Sequence, residues 1–145
     1  MFPRWHIFYG ALFAAFFWIV APTTKALYLA LIFLASFLID VDHYICALMK
    51  TRKLSIKNAL NYHKELRIKR IREHEKGIRK KGDFHFFHTI EFHALIAILG
   101  IFWVSFFYIF IGMAFHSLLD LFDMIKTGFI YRREYFFFNW LGKKL

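Results

Sequence analysis

The sequence predicts an all-α integral membrane protein: two helical hairpins, about four membrane-embedded helices in all, joined by a basic connector helix on the cytoplasmic side. Three observations lead there. No Asp, Glu, Lys or Arg occurs in residues 5–24 or in residues 92–119, runs long enough to meet lipid. Residues 50–82 hold thirteen Lys or Arg against three Glu, an excess equal to the whole net charge of +10. Of the 145 residues, 59% are apolar and 22% aromatic, which excludes a disordered or collagen-like chain. A single cysteine, Cys46, excludes a disulfide scaffold and a Cys-based zinc finger. The chain reads as one membrane-embedded domain over 1–145, with 50–83 as a connector inside it.

The first helix is expected over about 5–20, ending at Pro22-Thr23-Thr24, and the second over about 25–49. No small-residue cleavage pattern precedes Pro22, so the first segment reads as part of the mature protein and not as a signal peptide. In the connector, Ser55 is a candidate N-cap, and Glu65/Lys69 and Glu75/Arg79 stand at i,i+4. This predicts one long surface helix that breaks near Gly77. Asp83 is a candidate cap for a third helix starting at Phe84, and a fourth helix should stop at Gly128. The tail, 129–145, mixes aromatic and basic residues and suits the headgroup layer. By the positive-inside rule the connector, Arg4 and the basic C-terminus lie in the cytoplasm.

Ionisable residues inside apolar stretches carry the functional signal. Six of the eight histidines lie in or beside the hydrophobic segments, with Asp40, Asp42, Glu91, Asp120 and Asp123. One Asp near a membrane-helix centre costs roughly 2.5–3.5 kcal/mol, so several together call for a shared partner, and a divalent metal fits. His116 and Asp120 are i,i+4, about 40° apart around a helix; Asp40 and His43 are i,i+3, about 60° apart. In one straight helix His93 and His116 would lie about 34 Å apart, so a shared ion requires a fold-back near Val104-Ser105. In the first hairpin, arms of nearly equal length bring His6 beside Asp40 and His43. His85 reads as an interfacial histidine, and His63 and His74 as solvated connector residues.

Trp5-His6, then Asp40-Val41-Asp42-His43, then His88-Thr89-Ile90-Glu91-Phe92-His93, then Gly112-Met113-Ala114-Phe115-His116-Ser117-Leu118-Leu119-Asp120 occur in that order. The ordered set resembles the YdjM-like inner-membrane proteins, catalogued as membrane-bound metal-dependent hydrolases and distantly similar to zinc-dependent phospholipases C. The resemblance spans most of the chain apart from the connector and tail. It implies that His6, Asp40, Asp42, His43, His88, His93, His116 and Asp120 occupy ligand positions, and it implies a location in the cell inner membrane. The family's His-Arg-Gly-x-Thr-His-Ser segment stands here as His88-Thr89-Ile90-Glu91-Phe92-His93-Ala94, without its Arg and Ser and with Glu91 added.

Histidine and carboxylate donors without cysteine suit zinc, one to three ions, with manganese or iron as alternatives. Such an ion lowers the pKa of a coordinated water towards ~7. Asp42 is a candidate bridging or catalytic carboxylate, and Glu91 a candidate ligand or proton shuttle. The expected activity is hydrolysis of a membrane-lipid phosphoester, with lipid as both environment and substrate and with anionic headgroups against residues 50–82. A non-enzymatic membrane protein that binds a structural or transported metal is the alternative. Nucleic acid is disfavoured as a partner, because Tyr62 is the one aromatic interleaved with the basic run.

Overall fold

Residues 3–145 are described by a computed structural model. Their regular structure is helical: α1 Pro3–Val20, α2 Ala26–Leu38, α3 Val41–Thr51, α4 Ile56–Glu75, α5 Ile90–Phe102, α6 Val104–Thr127 and α7 Phe137–Gly142, with 3-10 turns at Phe86–His88 and Ile130–Arg132. No strand occurs among the described residues. Among the described residues, two stretches are long and apolar enough to cross a membrane: Ala26–Thr51, which takes in α2 and α3, and Val104–Thr127. The 13-residue α5 is apolar but shorter. The expected set of four embedded helices thus narrows to two of spanning length.

Both hairpins form. The α1–α2 turn closes with the Thr24 N–H donating to the Ala21 carbonyl at 3.0 Å, and α1 packs along α2. The second fold-back falls at Trp103, one residue before the expected site, and needs only that residue in extended conformation (φ −134°, ψ 112°). It is so tight because Gly100 has no side chain. A Cβ there would lie 2.9 Å from the Phe107 backbone. The α2 and α6 helices form the central pair, and Gly112 lets their backbones close: a Cβ at this position would lie 2.8 Å from the Ala35 Cβ.

Several local expectations change. The single helix over 25–49 is in fact α2 and α3, separated at Ile39-Asp40, where the Asp40 N–H bonds the Phe37 carbonyl instead of the Ser36 carbonyl of a regular α-turn. The connector helix is α4, and it ends before Gly77, whose φ is +71°. Ser55 holds the N-cap position without a side-chain bond. Asp83 does not cap a helix; it accepts a 2.8 Å bond from the Tyr62 hydroxyl, and the cap of α5 is Thr89, which accepts from the Phe92 N–H. Gly128 ends α6 in the left-handed conformation, as expected. The tail does not simply run along a surface but packs back on the rest: the Ile90 N–H bonds the Tyr135 carbonyl, and Trp140 stacks on Phe84 at 4.1 Å.

Burial runs against the pattern of a water-soluble domain. Among the described residues nine polar or charged ones are buried against six apolar ones, and the large apolar side chains at both hairpin tips, Ile19, Val20, Ile101 and Phe102, point outward.

Candidate metal centre

At the end of the bundle away from those tips, four chain segments meet. The α2–α3 break supplies Asp40, Asp42 and His43; the 3-10 turn before α5 supplies His88; α6 supplies His116 and Asp120; α1 supplies His6. His6, His88, His116 and Asp120 are each at most 5% exposed.

The hydrogen bonds assign the histidine tautomers. The Ser36 carbonyl, released by the break at Ile39-Asp40, lies 2.8 Å from His116 Nδ1. A carbonyl only accepts, so His116 Nδ1 carries the hydrogen. Asp42 Oδ2 accepts from His88 Nδ1 at 3.0 Å and from the Phe87 N–H at 3.0 Å. In the neutral rings both Nε2 lone pairs then face each other across 3.1 Å. Two lone pairs at that distance repel unless a cation, proton or metal lies between them. Asp40 Oδ1 stands 3.5 Å from each Nε2, and Asp120 Oδ2 stands 3.5 Å from that of His116 and 3.9 Å from that of His88. Bonds of 2.0–2.1 Å to a tetrahedral ion place ligand atoms about 3.3 Å apart, and the observed separations bracket that value. Asp40, His88, His116 and Asp120 therefore have the donor set and spacing to hold a metal ion, with all four ligand atoms within 4.8 Å of one another. Burial opposes a positive charge on His88, but Asp40 and Asp42 outweigh it and raise its pKa, so the carboxylates favour a cation at this spot.

Asp42, His43 and His88 make a second group able to hold an ion. His43 Nε2 is 3.4 Å from Asp40 Oδ1, and its ring lies 3.7 Å from that of His85. His85 is buried and not interfacial, because the loop before α5 tucks it against Asp42, with Nδ1 3.7 Å from Asp42 Oδ1. Neither of those atoms has a hydrogen-bond partner. Burial, reinforced by the charge of His88 against the pull of Asp42, pushes His85 down to about 4, so its ring is neutral near pH 7. His63, expected in solvent, lies 2.9 Å through Nε2 from the His43 carbonyl and donates to it.

Each remaining candidate has a definite place. His6 lies beside His116 and Asp120: its ring stacks on that of His116 at 4.0 Å, and Nε2 is 3.2 Å from Asp120 Oδ1. Neither of its ring nitrogens finds an aligned hydrogen-bond partner, as expected of a donor turned towards an ion. Asp42 acts through His88 as its orienting carboxylate. His93 is not brought to the group, because its Nδ1 bonds the Thr89 carbonyl at 3.0 Å and its Nε2 the Ser117 hydroxyl at 2.9 Å, which ties α5 to α6. Glu91 also stands apart. Its carboxylate accepts the Phe137 and Phe138 N–H groups at 2.9 and 3.3 Å, so it holds the start of α7 and is not one of the residues grouped to hold an ion.

Sequence reasoning missed two contributors. Ser36 acts through a backbone carbonyl, and its only signal was a polar residue four before Asp40. Arg133, in the tail, donates to Asp120 Oδ2 at 2.6 Å, and nothing in its sequence context set it apart from a topology-determining charge. No protein-family model matches this chain, and neither a curated protein nor a solved structure matches it.

Proposed function

We propose that this is an integral membrane, metal-dependent hydrolase that cleaves a phosphoester of a membrane lipid. The observation that carries the reading is the pair of facing Nε2 lone pairs at 3.1 Å with Asp40 and Asp120 beside them. The ordered resemblance to YdjM-like proteins points the same way. Asp40, His88, His116 and Asp120 would hold the principal ion, and Asp42, His43 and His6 lie where further ions would bind. Zinc suits these donors best; manganese or iron is compatible with them. When bound, a divalent ion supplies Lewis-acid polarisation of a phosphoryl oxygen and a nucleophile at neutral pH.

The chain's own residues prepare the site for that chemistry. Asp42 and the Ser36 carbonyl fix two imidazoles in the tautomer that presents Nε2. Arg133 puts a guanidinium against Asp120, a positive charge beside the donor group for an anionic ester oxygen to meet. Asp40, more open than its three neighbours, marks the side of approach. The two spanning stretches, the outward apolar tips and the basic α4 support an orientation with both termini and the site on the cytoplasmic side of the inner membrane, where α4 meets anionic headgroups.

Burial of His88, His116 and Asp120 favours one alternative, a structural or transported ion without turnover. Elemental analysis of detergent-purified protein, with phosphodiesterase and phosphatase assays on phospholipids, separates the two. The hydrolase reading expects at least one ion per chain and turnover that is lost in His116→Ala while helical circular dichroism persists. Stoichiometric metal with no turnover on any phospholipid selects the alternative, and absence of metal removes both.

A further inference from the structure

A second polar cluster lies where the tail crosses α4. The Gly82 N–H donates to the Arg132 carbonyl at 2.8 Å, and a Cβ at Gly82 would stand 3.3 Å from that carbonyl oxygen and 3.4 Å from Arg70 Nη2. The head of Arg70 therefore lies against the same backbone crossing. Arg132, 7% exposed, reaches across α4 to Glu73, one helical turn beyond Arg70, with Nη2 2.7 Å from Glu73 Oε2. Its Nε and Nη1 are buried without a hydrogen-bond partner, and so is Nε of Arg70. The next residue, Arg133, turns the other way to Asp120.

Two guanidiniums, those of Arg70 and Arg132, thus meet at one crossing with a single carboxylate, Glu73, paired to Arg132, and the other carboxylates have other commitments. Asp120 belongs to the metal group, and Asp83 holds the Tyr62 hydroxyl and lies 3.8 Å from Lys50. A buried guanidinium N–H without an acceptor is costly, and two like charges that share one counter-ion add to that cost. Burial, reinforced by the charge of Arg132 against the pull of Asp83, lowers the pKa of Arg70. Water would satisfy the donors but leave the charges opposed. A tetrahedral oxyanion does both, and the guanidinium fork matches its oxygens.

We propose that Arg70 and Arg132, at the Gly82 crossing, form a seat for a phosphate-type oxyanion. The phosphate belongs either to a lipid headgroup or to a free anion. The seat stands apart from the metal reading, because metal content measured on the same samples reports that reading separately.

The test uses full-length protein in neutral detergent and titrates inorganic phosphate and monomeric dihexanoyl phosphatidic acid by calorimetry. Saturable binding is expected, weakened about tenfold or more in Arg70→Gln and partly retained in Arg70→Lys. Lys57→Gln removes the same charge from an exposed position of α4 and should change affinity less than about twofold. Arg70→Gln breaks no ion pair of the Arg132–Glu73 kind, so its thermal melt and metal content should match those of the parent. Binding of phosphate itself identifies a free anion as sufficient; binding of phosphatidic acid alone, lost in Arg70→Gln, identifies the headgroup. No saturable binding of either probe, or equal losses in Arg70→Gln and Lys57→Gln, overturns the proposal.

Discussion

A single methyl added at Gly112 tests whether the α2–α6 contact sets the geometry of the site. In Gly112→Ala the new Cβ would lie 2.8 Å from the Ala35 Cβ and 3.1 Å from the Ile32 carbonyl carbon. Carbon atoms in ordinary contact stand about 3.5–4.0 Å apart, so the two helices must separate by roughly 1 Å. His116 follows Gly112 by one helical turn, and its Nδ1 reaches the Ser36 carbonyl of α2 across 2.8 Å. The same displacement stretches that bond to about 3.8 Å, beyond hydrogen-bonding range. Overpacking should cost about 1–3 kcal/mol of stability. Loss of the bond that orients a ligating histidine should weaken metal binding about 10–100-fold. Thermal melts and competition against a chromogenic chelator read the two effects. Gly142→Ala, whose Cβ would meet nothing within 4 Å, is the matched control and should change neither. If Gly112→Ala keeps parental melting and metal affinity, the α2–α6 contact does not frame the site. If only melting falls, the Ser36 carbonyl is not what holds His116.

The other predictions concern the site's supports and the tail. Asp42→Asn removes the charge that holds the His88 Nδ1 hydrogen and should lower metal affinity about 10–100-fold in the same chelator competition, with helical content kept. His93→Ala, which breaks only the Thr89 and Ser117 bonds, should retain stoichiometric metal in elemental analysis. Glu91→Ala should likewise keep its metal, while amide hydrogen exchange at Phe137 and Phe138 accelerates as the start of α7 loses its acceptor; a loss of metal would contradict the place given to Glu91. Glu73 has its pKa held below the ordinary 4.5 by the Arg132 hydrogen bond. A depressed carboxylate pKa contributes stability above the unfolded value and loses it as pH falls through the folded value. Melting temperature should therefore drop as pH falls below about 4.5, and Glu73→Gln should flatten that part of the curve; an unchanged curve would show the pair contributes nothing measurable.

Helix content, the two hairpins and the basic connector could all be read along the chain, because each depends on residues close in sequence: apolar runs, Pro22, Gly128 and the charge excess of 50–82. The need for a fold-back between His93 and His116 followed from length alone, and its place was missed by one residue because the enabling glycine, Gly100, sits before the turn and acts by letting Phe107 approach. Helix periodicity put His116 and Asp120 on one face. It could not distinguish His93, satisfied by Thr89 and Ser117, from His88, whose Nε2 faces the cluster.

Residue types and local spacing thus established which side chains were available as donors and roughly at which end of the bundle they would lie. Which atoms converge depended on the crossing of α2 with α6 and on the break at Ile39-Asp40, which frees one carbonyl to orient a histidine eighty residues away. The return of the tail brought Arg133 to Asp120 and α7 to Glu91. The physical reason is range: backbone propensity and hydrophobic phase act within a few residues, whereas a metal group needs atoms from four segments placed to within a fraction of an ångström, and packing between helices sets that placement.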